Sequence, residues 1–308
     1  MSQSECFVAS FLICEIMSPK EKQATPKVAF VFLGPLTKVP PASAGSRARQ
    51  RGEPEWTRAQ GKTSGCVSRM KKILGDKNMR TIGLIGGMSW ESTIPYYRII
   101  NEEVKEKMGG LHSAKIILYS VEFDEIEKCQ SENRWEESGE ILGKAAQALE
   151  TAGADFILIC TNTMHKVAPQ IASMIKVPII HIADATADEL DKAHIKRVGL
   201  LGTKYTMTQD FYKKRLVDRG IDVLIPEERE IETVNSIIFN ELCVGTITEE
   251  SRKKFQDIIE KLKEKGADGV ILGCTEIGLL ISQSDVSIPV FDTTVIHAKR
   301  AAKIAMED

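Results

Sequence analysis

Two short polar clusters follow apolar runs, and both contain residue types that could move a proton. The first cluster is Cys160, Thr161, Asn162 and Thr163, and the second is Cys274, Thr275 and Glu276. A thiol has an ordinary pKa of about 8.5, which helix N-termini and nearby cations lower, so a positioned cysteine can accept or return a proton. Hydroxyl and amide groups, with N–H groups at helix starts, could hold a carboxylate. The side chains of these residues could also simply cap the helices that follow.

The sequence around the two clusters repeats. TIGLIGG (81–87) matches RVGLLGT (197–203), and GADFILICTNT (153–163) matches GADGVILGCTE (266–276). Such self-similarity predicts two related structural units.

The repeat also sets which residues correspond. Aligning Gly153 with Gly266 without a gap places Thr161 opposite Cys274 and Cys160 one position earlier. Successive strand residues face opposite sides of a sheet, so a slip of one residue changes which group reaches a shared cleft. The register therefore predicts that Thr161, and not Cys160, is the counterpart of Cys274.

Short apolar runs alternate with helical patterns from Met79 onward. Continuous apolar runs are typical of parallel strands that are buried on both faces. Strands are predicted at 81–87, 114–123, 155–161, 177–182, 197–203, 222–227, 268–275 and 288–293. Helices are predicted at 134–153 and 251–266, each closed by a glycine. The pattern predicts an α/β fold with two pseudo-symmetric doubly wound domains, each a parallel sheet flanked by helices, and a cleft between them where the strands end.

Four segments are predicted along the chain. Residues 1–78 contain a 12-residue apolar run (6–17), too short for a membrane span of ~20 residues, and then an aperiodic stretch rich in Gly, Pro, Ser and Arg. We predict that they are disordered or an over-extended start, with a targeting arm as the alternative; deleting them should leave activity intact. The remaining segments are a first α/β domain (79–190), a second α/β domain (191–291) and a C-terminal helix (292–308) that packs back on the first domain.

Composition narrows the class of protein. A net charge of −2, with 43% hydrophobic and 27% charged residues, is ordinary for a globular protein and argues against a nucleic-acid or membrane-surface partner. The seven cysteines contain no CxxC pair, so neither a disulfide framework nor a zinc site is indicated. Free thiols are typical of a reducing compartment, and we expect a cytoplasmic protein.

A glycine loop and three histidines complete the candidates. GLIGGMSWEST (83–93) has glycines spaced G-x-x-G-G, which is not the dinucleotide fingerprint, so it is either a ligand loop or a structural turn. His165, His181 and His297 lack metal-ligand spacing, and no metal is expected. His165 could hydrogen-bond within the cleft or have a structural role.

Three motifs together carry a family resemblance: IGLIGGMSWEST (82–93), CTNTMH (160–165) and GCTEI (273–277). With these the sequence resembles the cofactor-independent aspartate/glutamate racemases over residues 79–308. It does not resemble the cell-wall glutamate racemases, because it lacks their Asp-Ser-Gly loop and has Glu276 in place of a histidine. The resemblance implies pseudo-twofold α/β domains, a homodimer, no pyridoxal phosphate or other cofactor, and two opposed acid/base groups.

The resemblance also implies roles for single residues. Thr161 stands where most members have the first catalytic cysteine, so it and Cys274 are the catalytic candidates; this pair resembles a branch described as L-aspartate/glutamate-specific or broad-specificity amino-acid racemases. The substrate-binding candidates are Met88, Ser89, Gln130, Asn162, Thr163, Thr275 and Glu276. Arg98, Lys166 and Lys204 all remain open as partners of the substrate side chain.

The sequence thus predicts an amino-acid racemase for aspartate, glutamate or a related small amino acid. One alternative is a relative of the malonate-type decarboxylases, which needs only one thiol to protonate a carbanion. Another is a sensor that binds a small molecule without turnover.

Overall fold

A computed structural model describes residues 79–307, so the prediction for residues 1–78 lies outside the described part of the chain. Two parallel sheets form the framework. The first sheet has the strand order β2-β1-β3. Its strands are β1 (Ile82–Gly86), β2 (Ile116–Ser120) and β3 (Phe156–Ile159).

The second sheet has four strands in the order β5-β4-β6-β7. They are β4 (Arg197–Gly202), β5 (Asp222–Leu224), β6 (Gly269–Gly273) and β7 (Val290–Asp292). All strand pairs in both sheets are parallel. The carboxyl ends of neighbouring strands therefore lie at one edge of each sheet.

Helices follow the strands as the alternating pattern predicts. The helices before β4 are α1 (Trp90–Met108), α2 (Phe123–Ser131), α3 (Trp135–Thr151), α4 (Ala168–Ser173) and α5 (Ile182–Lys192). The later helices are α6 (Lys204–Thr208), α7 (Asp210–Val217), α8 (Glu228–Asn240), α9 (Glu249–Glu264), α10 (Ile277–Leu280) and α11 (Thr293–Met306). Short 3₁₀ turns lie at Thr163–Val167, Leu242–Val244 and Gln283–Asp285.

The repeat seen in the sequence is present in the sheet registers. Ile82 of β1 pairs with Phe156 of β3, and Val198 of β4 pairs with Gly269 of β6. These pairs occupy equivalent positions of the repeat. The central strands of the two sheets therefore share one register.

The helices before β3 and β6 also end alike. Gly153 and Gly266 have φ angles of 97° and 93°, which glycine adopts without the steric cost of a Cβ. The next residue in each case donates its N–H to a carbonyl five residues earlier, Ala154 to Leu149 and Ala267 to Leu262. This is the Schellman arrangement, so the predicted glycine helix ends are confirmed.

Several predicted strands are shorter in the structure. The run 177–182 pairs with β3 only through a single bridge between Ile157 and Ile179. Pro178 has no N–H to donate, and His181 already caps α5 by accepting a hydrogen bond from the Ala183 N–H. Phe123, the last residue of the predicted strand 114–123, is instead the first residue of α2.

The C-terminal helix joins the core of the first sheet. Its buried residues Ala298, Ala301 and Ala305 pack in one apolar cluster with Ile82 and Leu84 of β1. None of the helices within residues 79–307 combines the length and the apolar character that a membrane span requires.

Candidate active site

The two clusters lie at the carboxyl ends of β3 and β6. Thr161 and Cys274 are 9% and 7% exposed, so each is largely buried but keeps a small accessible area. Cys160 is fully buried and packs in the apolar cluster beneath the first sheet with Tyr96 and Ile100. Burial raises the pKa of the Cys160 thiol far above its ordinary value, because the interior disfavours a thiolate. Cys160 therefore behaves as a small core hydrophobe.

Glu276 is the centre of the hydrogen bonds around Cys274. The Cys274 thiol and the Thr275 hydroxyl each donate to Glu276 Oε2 over 2.9 Å. Burial and the neighbouring Glu276 carboxylate raise the pKa of Cys274 well above its ordinary value. The resting thiol is therefore protonated and has a carboxylate acceptor in contact with it.

The other oxygen of Glu276 is held from the first sheet. Ser89 lies in the glycine loop after β1, and it donates to Glu276 Oε1 from Oγ at 2.9 Å and from its N–H at 3.2 Å. Ser89 is also the N-cap of α1. Of the predicted substrate-binding residues, the structure thus brings Ser89, Thr275 and Glu276 together around Cys274, and both oxygens of Glu276 already have protein donors.

The Thr161 side of the site is held by His165. His165 Nε2 accepts a hydrogen bond from the Ile182 N–H at the start of α5. Nδ1 therefore carries the proton and donates it to the Thr161 carbonyl over 2.8 Å. Among the described residues, none hydrogen-bonds the Thr161 hydroxyl, so it can face a ligand.

Asn162 connects the two clusters. Its Nδ2 donates to Thr293 Oγ1 at 2.9 Å, and Thr293 donates in turn to the Leu272 carbonyl of β6 at 2.8 Å. This chain of donors fixes the amide orientation, and Asn162 Oδ1 is left buried without a partner within residues 79–307. An unpaired buried acceptor is costly unless a ligand supplies a donor. Thr163 Oγ1 also reaches across, to Thr203 Oγ1 at 2.9 Å.

The other two predicted binding residues are Met88, directly before Ser89, and Gln130 at the end of α2. Met88 is 2% exposed and packs in an apolar cluster with Ile85. Gln130 is buried, with Nε2 at 3.0 Å from Met164 Sδ, and its main-chain carbonyl accepts a hydrogen bond from the Tyr205 hydroxyl at 3.2 Å. The side chains of both residues are occupied by protein contacts.

The three basic candidates differ in their surroundings. Arg98 is exposed and lies 3.9 Å from Glu102 on the outer face of α1, and Lys204 pairs with Glu232. Lys166 Nζ lies 3.7 Å from the centre of the Trp135 ring, which Tyr205 contacts edge-on. Burial lowers the pKa of Lys166. Lys166 is therefore the candidate that shares its surroundings with Tyr205, the residue that reaches Gln130.

Three buried histidines support this edge of the first sheet. The rings of His165 and His181 are 4.4 Å apart, and those of His165 and His297 are 5.8 Å apart. Burial lowers the pKa of His181 and of His297 to about 3 each, and that of His165 well below its ordinary value. Within the described residues, no group of three or more His, Cys, Asp or Glu side chains could hold a metal ion.

Sequence reasoning missed four residues beside the clusters. Thr203 hydrogen-bonds to Thr163, and Thr293 accepts a hydrogen bond from Asn162. Burial raises the pKa of half-buried Cys243, and the nearby Glu276 and Glu91 raise it further. Glu91 Oε2 is buried and has no partner in the described part of the chain. The repeat gave an indication only for Thr203, because the match of RVGLLGT with TIGLIGG places Thr203 opposite Gly87 of the glycine loop.

Comparison with known proteins adds an independent finding. The family model described as Asp/Glu/Hydantoin racemase matches residues 85–301. The broad specificity amino-acid racemase RacX of Bacillus subtilis (strain 168) is 24% identical over 231 residues, which cover 71% of this chain and 95% of RacX.

Two solved structures are more similar in sequence. A candidate Asp/Glu racemase from Yersinia pestis is 54% identical, with a TM-score of 0.70, and the match covers 74% of this chain and 100% of that one. An aspartate racemase homologue from Pyrococcus horikoshii OT3 is 42% identical with a TM-score of 0.66, again over 74% and 100% of the two chains.

Proposed function

Because the chain belongs to the Asp/Glu/hydantoin racemase family and is an amino-acid racemase, we propose that it inverts Cα of a small amino acid between Cys274 and Thr161. The observation that carries the proposal is the 2.9 Å contact from the Cys274 thiol to Glu276 at the end of β6. The equivalent position at the end of β3 is Thr161. Acid/base groups at equivalent strand ends are suited to opposite faces of one carbon.

The proton moves in two balanced steps. Cys274 gives its proton to Glu276, and the thiolate takes the Cα proton of the substrate, so that the electron pair of the broken C–H bond passes into the substrate carboxylate. The Thr161 hydroxyl then gives its proton to the other face of Cα, which forms the opposite enantiomer and leaves an alkoxide. Solvent reprotonates this alkoxide and takes up the proton held by Glu276, so the enzyme returns to its starting state. A substrate ammonium near Glu276 would offset its negative charge and lower the pKa of the thiol, which favours the first step.

The remaining polar groups would bind the substrate. Asn162 Oδ1, which lacks a partner in the described chain, is suited to accept from the substrate ammonium. The Thr163 hydroxyl, which can accept from Thr203 and keep its own proton for a ligand, and the N–H groups after β3 and β6 are donors for the carboxylate. Donors that tighten as negative charge develops lower the barrier. This route needs side chains alone, so the proposal includes independence from pyridoxal phosphate.

The Cys274 thiol and the Thr161 hydroxyl differ in acid and base strength, and this difference is part of the proposal. A threonine hydroxyl is a far weaker acid and base than a thiol, so the two directions of inversion should differ in rate. Aspartate, glutamate or a related small amino acid is the proposed substrate, with the L enantiomer favoured. We also propose a cytoplasmic homodimer, with domains at 79–190 and 191–291 and a C-terminal helix at 292–308.

A second candidate function rests on the raised pKa of Cys274. A protonated thiol is ready to deliver a proton to a carbanion, which is the only acid step that a malonate-type decarboxylase needs. A binding protein without turnover would use the same polar groups.

Incubation in deuterated solvent, combined with substitution of the Cys274 thiol, distinguishes these functions. The protein is incubated in D₂O with single amino acids and, separately, with a malonate-type diacid. A racemase incorporates deuterium at Cα and forms the other enantiomer, a decarboxylase releases CO₂, and a sensor does neither. Cys274→Ser should lose roughly 10²–10⁴-fold in rate, the contribution of a positioned acid/base group. Near-normal exchange in Cys274→Ser would refute the assignment.

A further inference from the structure

A cavity of about 710 Å³ lies outside the acid–base clusters. Ligand pockets commonly enclose roughly 300–1,000 Å³, so it could enclose a small molecule. Its apolar walls include Met79, Met108, Val295, Ile296 and Met306. No residue of the proposed catalytic or substrate-binding set lines it.

Three helices enclose this cavity, and each begins at the active site. The N-cap of α1 is Ser89, which holds Glu276. The first N–H of α5 donates to His165, and the first side chain of α11, Thr293, accepts from Asn162. Later turns of the same helices line the cavity, with Lys107 on α1, Asp188 on α5 and Lys299 on α11.

The helices also belong to both halves of the fold. Ile182 and Leu190 of α5 pack against β4 of the second sheet, whereas Ala298 and Ala301 of α11 pack with α1 and β1 of the first. A molecule in the cavity would therefore contact helices that are packed on both sheets. Its binding would favour one arrangement of their N-terminal ends.

Within residues 79–307, several cations on the rim of the cavity donate no hydrogen bond. Four cations, Lys107, Lys299, Arg300 and Lys303, approach carboxylates at only 3.8–3.9 Å. That separation is too long for a hydrogen bond, so the N–H groups of these side chains can still donate to an anion. Lys192 differs, because it hydrogen-bonds Glu189 at 2.5 Å. The acidic side chains of the rim are Glu103, Asp188, Glu189 and Glu307.

We propose that this cavity is an effector site for an amphipathic anion, a small molecule with an apolar body and an acidic group, and that its occupancy changes the rate of Cα proton exchange. The apolar walls take the body of the ligand. The Lys299, Arg300 and Lys303 side chains take the acidic group. Coupling to the site runs through the N-terminal ends of α1, α5 and α11, since a ligand shifts an equilibrium only by binding one state better than the other.

The probe for this site is 8-anilino-1-naphthalenesulfonate, which joins two aromatic ring systems to a sulfonate and fluoresces when it leaves water. The full chain is titrated with it alone and with a saturating amino-acid substrate. We expect one probe per chain, bound whether or not substrate is present, and a change in exchange rate of about fivefold or more, as is typical of coupled sites. Binding is read separately from activity.

Two variants test the location. Lys299→Glu with Lys303→Glu should weaken probe binding at least about tenfold, because two attractive charges become repulsive. Met306→Trp should weaken it without a charge change by filling the cavity. The control is Lys253→Glu with Lys254→Glu, the same charge change on exposed α9, which should bind as the natural protein does.

Four results would overturn the proposal. The first is no probe binding by the natural protein up to about millimolar concentration, the upper end of ordinary small-molecule affinities. The second is equal binding by the cavity and control variants. The third is displacement of the probe by substrate, which would put it in the catalytic cleft. The fourth is binding that leaves the exchange rate unchanged.

Discussion

Ser89 and Glu276 are 187 residues apart in the sequence, yet the Ser89 hydroxyl lies 2.9 Å from Glu276 Oε1. Ser89 begins the first helix after β1, and Glu276 follows β6 of the other sheet. The second oxygen of the same carboxylate accepts from Cys274. A residue of the first half of the fold thus sets the surroundings of the thiol in the second half.

Removing the Ser89 hydroxyl should therefore alter the chemistry of Cys274. Without the Ser89 donor, Glu276 Oε1 is no longer held, so the carboxylate is less well placed to take the Cys274 proton and its effect on the pKa of the thiol changes. Ser89→Ala should lower kcat about tenfold, within the range of a single hydrogen bond to a charged group. Its pH–rate profile should shift, and the lost helix cap should cost ~1 kcal/mol of the free energy of unfolding.

The matched control for this change is Thr248→Ala. Thr248 caps α9 by accepting from the Ser251 N–H and should lose similar stability with normal turnover. If the two variants have the same pH–rate profile, Ser89 acts only as a helix cap.

The register of β3 leads to a second prediction. Cys160 is fully buried among apolar side chains, so Cys160→Ala should cost ~1 kcal/mol or more of stability and leave turnover nearly normal. Chemical unfolding and exchange assays measure the two effects. Cys129→Ala, another fully buried thiol, is the matched control. A Cys160→Ala protein that folds normally but has no activity would make Cys160 the catalytic group in place of Thr161.

The buried histidines predict how stability depends on pH. The pKa of His181 and of His297 is lowered to about 3 in the folded protein, against about 6.5 in an unfolded chain. Below pH 6.5 the unfolded chain binds protons that the folded chain does not, so the free energy of unfolding falls as the pH falls. The loss between pH 7 and pH 5 should be about 1–2 kcal/mol per histidine.

Urea unfolding at pH 7 and pH 5 measures this loss. In His297→Gln the loss should be smaller by the share of one histidine. An identical loss in the natural protein and in His297→Gln would contradict the buried, neutral state of His297.

Local patterns in the sequence predicted much of the framework. The matches between TIGLIGG and RVGLLGT, and between the two GAD segments, predicted two related units, and the registers of β1 with β3 and of β4 with β6 are equivalent in the structure. The two glycine helix ends were also predictable, because left-handed backbone favours glycine. These features depend on short stretches of chain.

Contacts between distant segments were not predictable in the same way. The Ser89 to Glu276 bond, and the bond from the Tyr205 hydroxyl to the Gln130 carbonyl, join segments that only the packed fold brings together. The side-chain positions of Met88 and Gln130 depend on the same packing. The composition and hydrophobic periodicity of the sequence also did not distinguish Lys166 from the exposed Arg98 as a partner of the substrate side chain.

The most direct test of racemisation between Cys274 and Thr161 is Cα proton exchange in D₂O, followed by NMR from each pure enantiomer of the substrate. The enantiomer whose Cα–H faces Cys274 should exchange quickly, and its mirror image slowly or not at all. Thr161→Cys should restore a thiol on the second face and bring the two rates closer together. Equal rates for both enantiomers in the natural protein would contradict the unequal pair, and no exchange from either enantiomer would contradict the racemase mechanism itself.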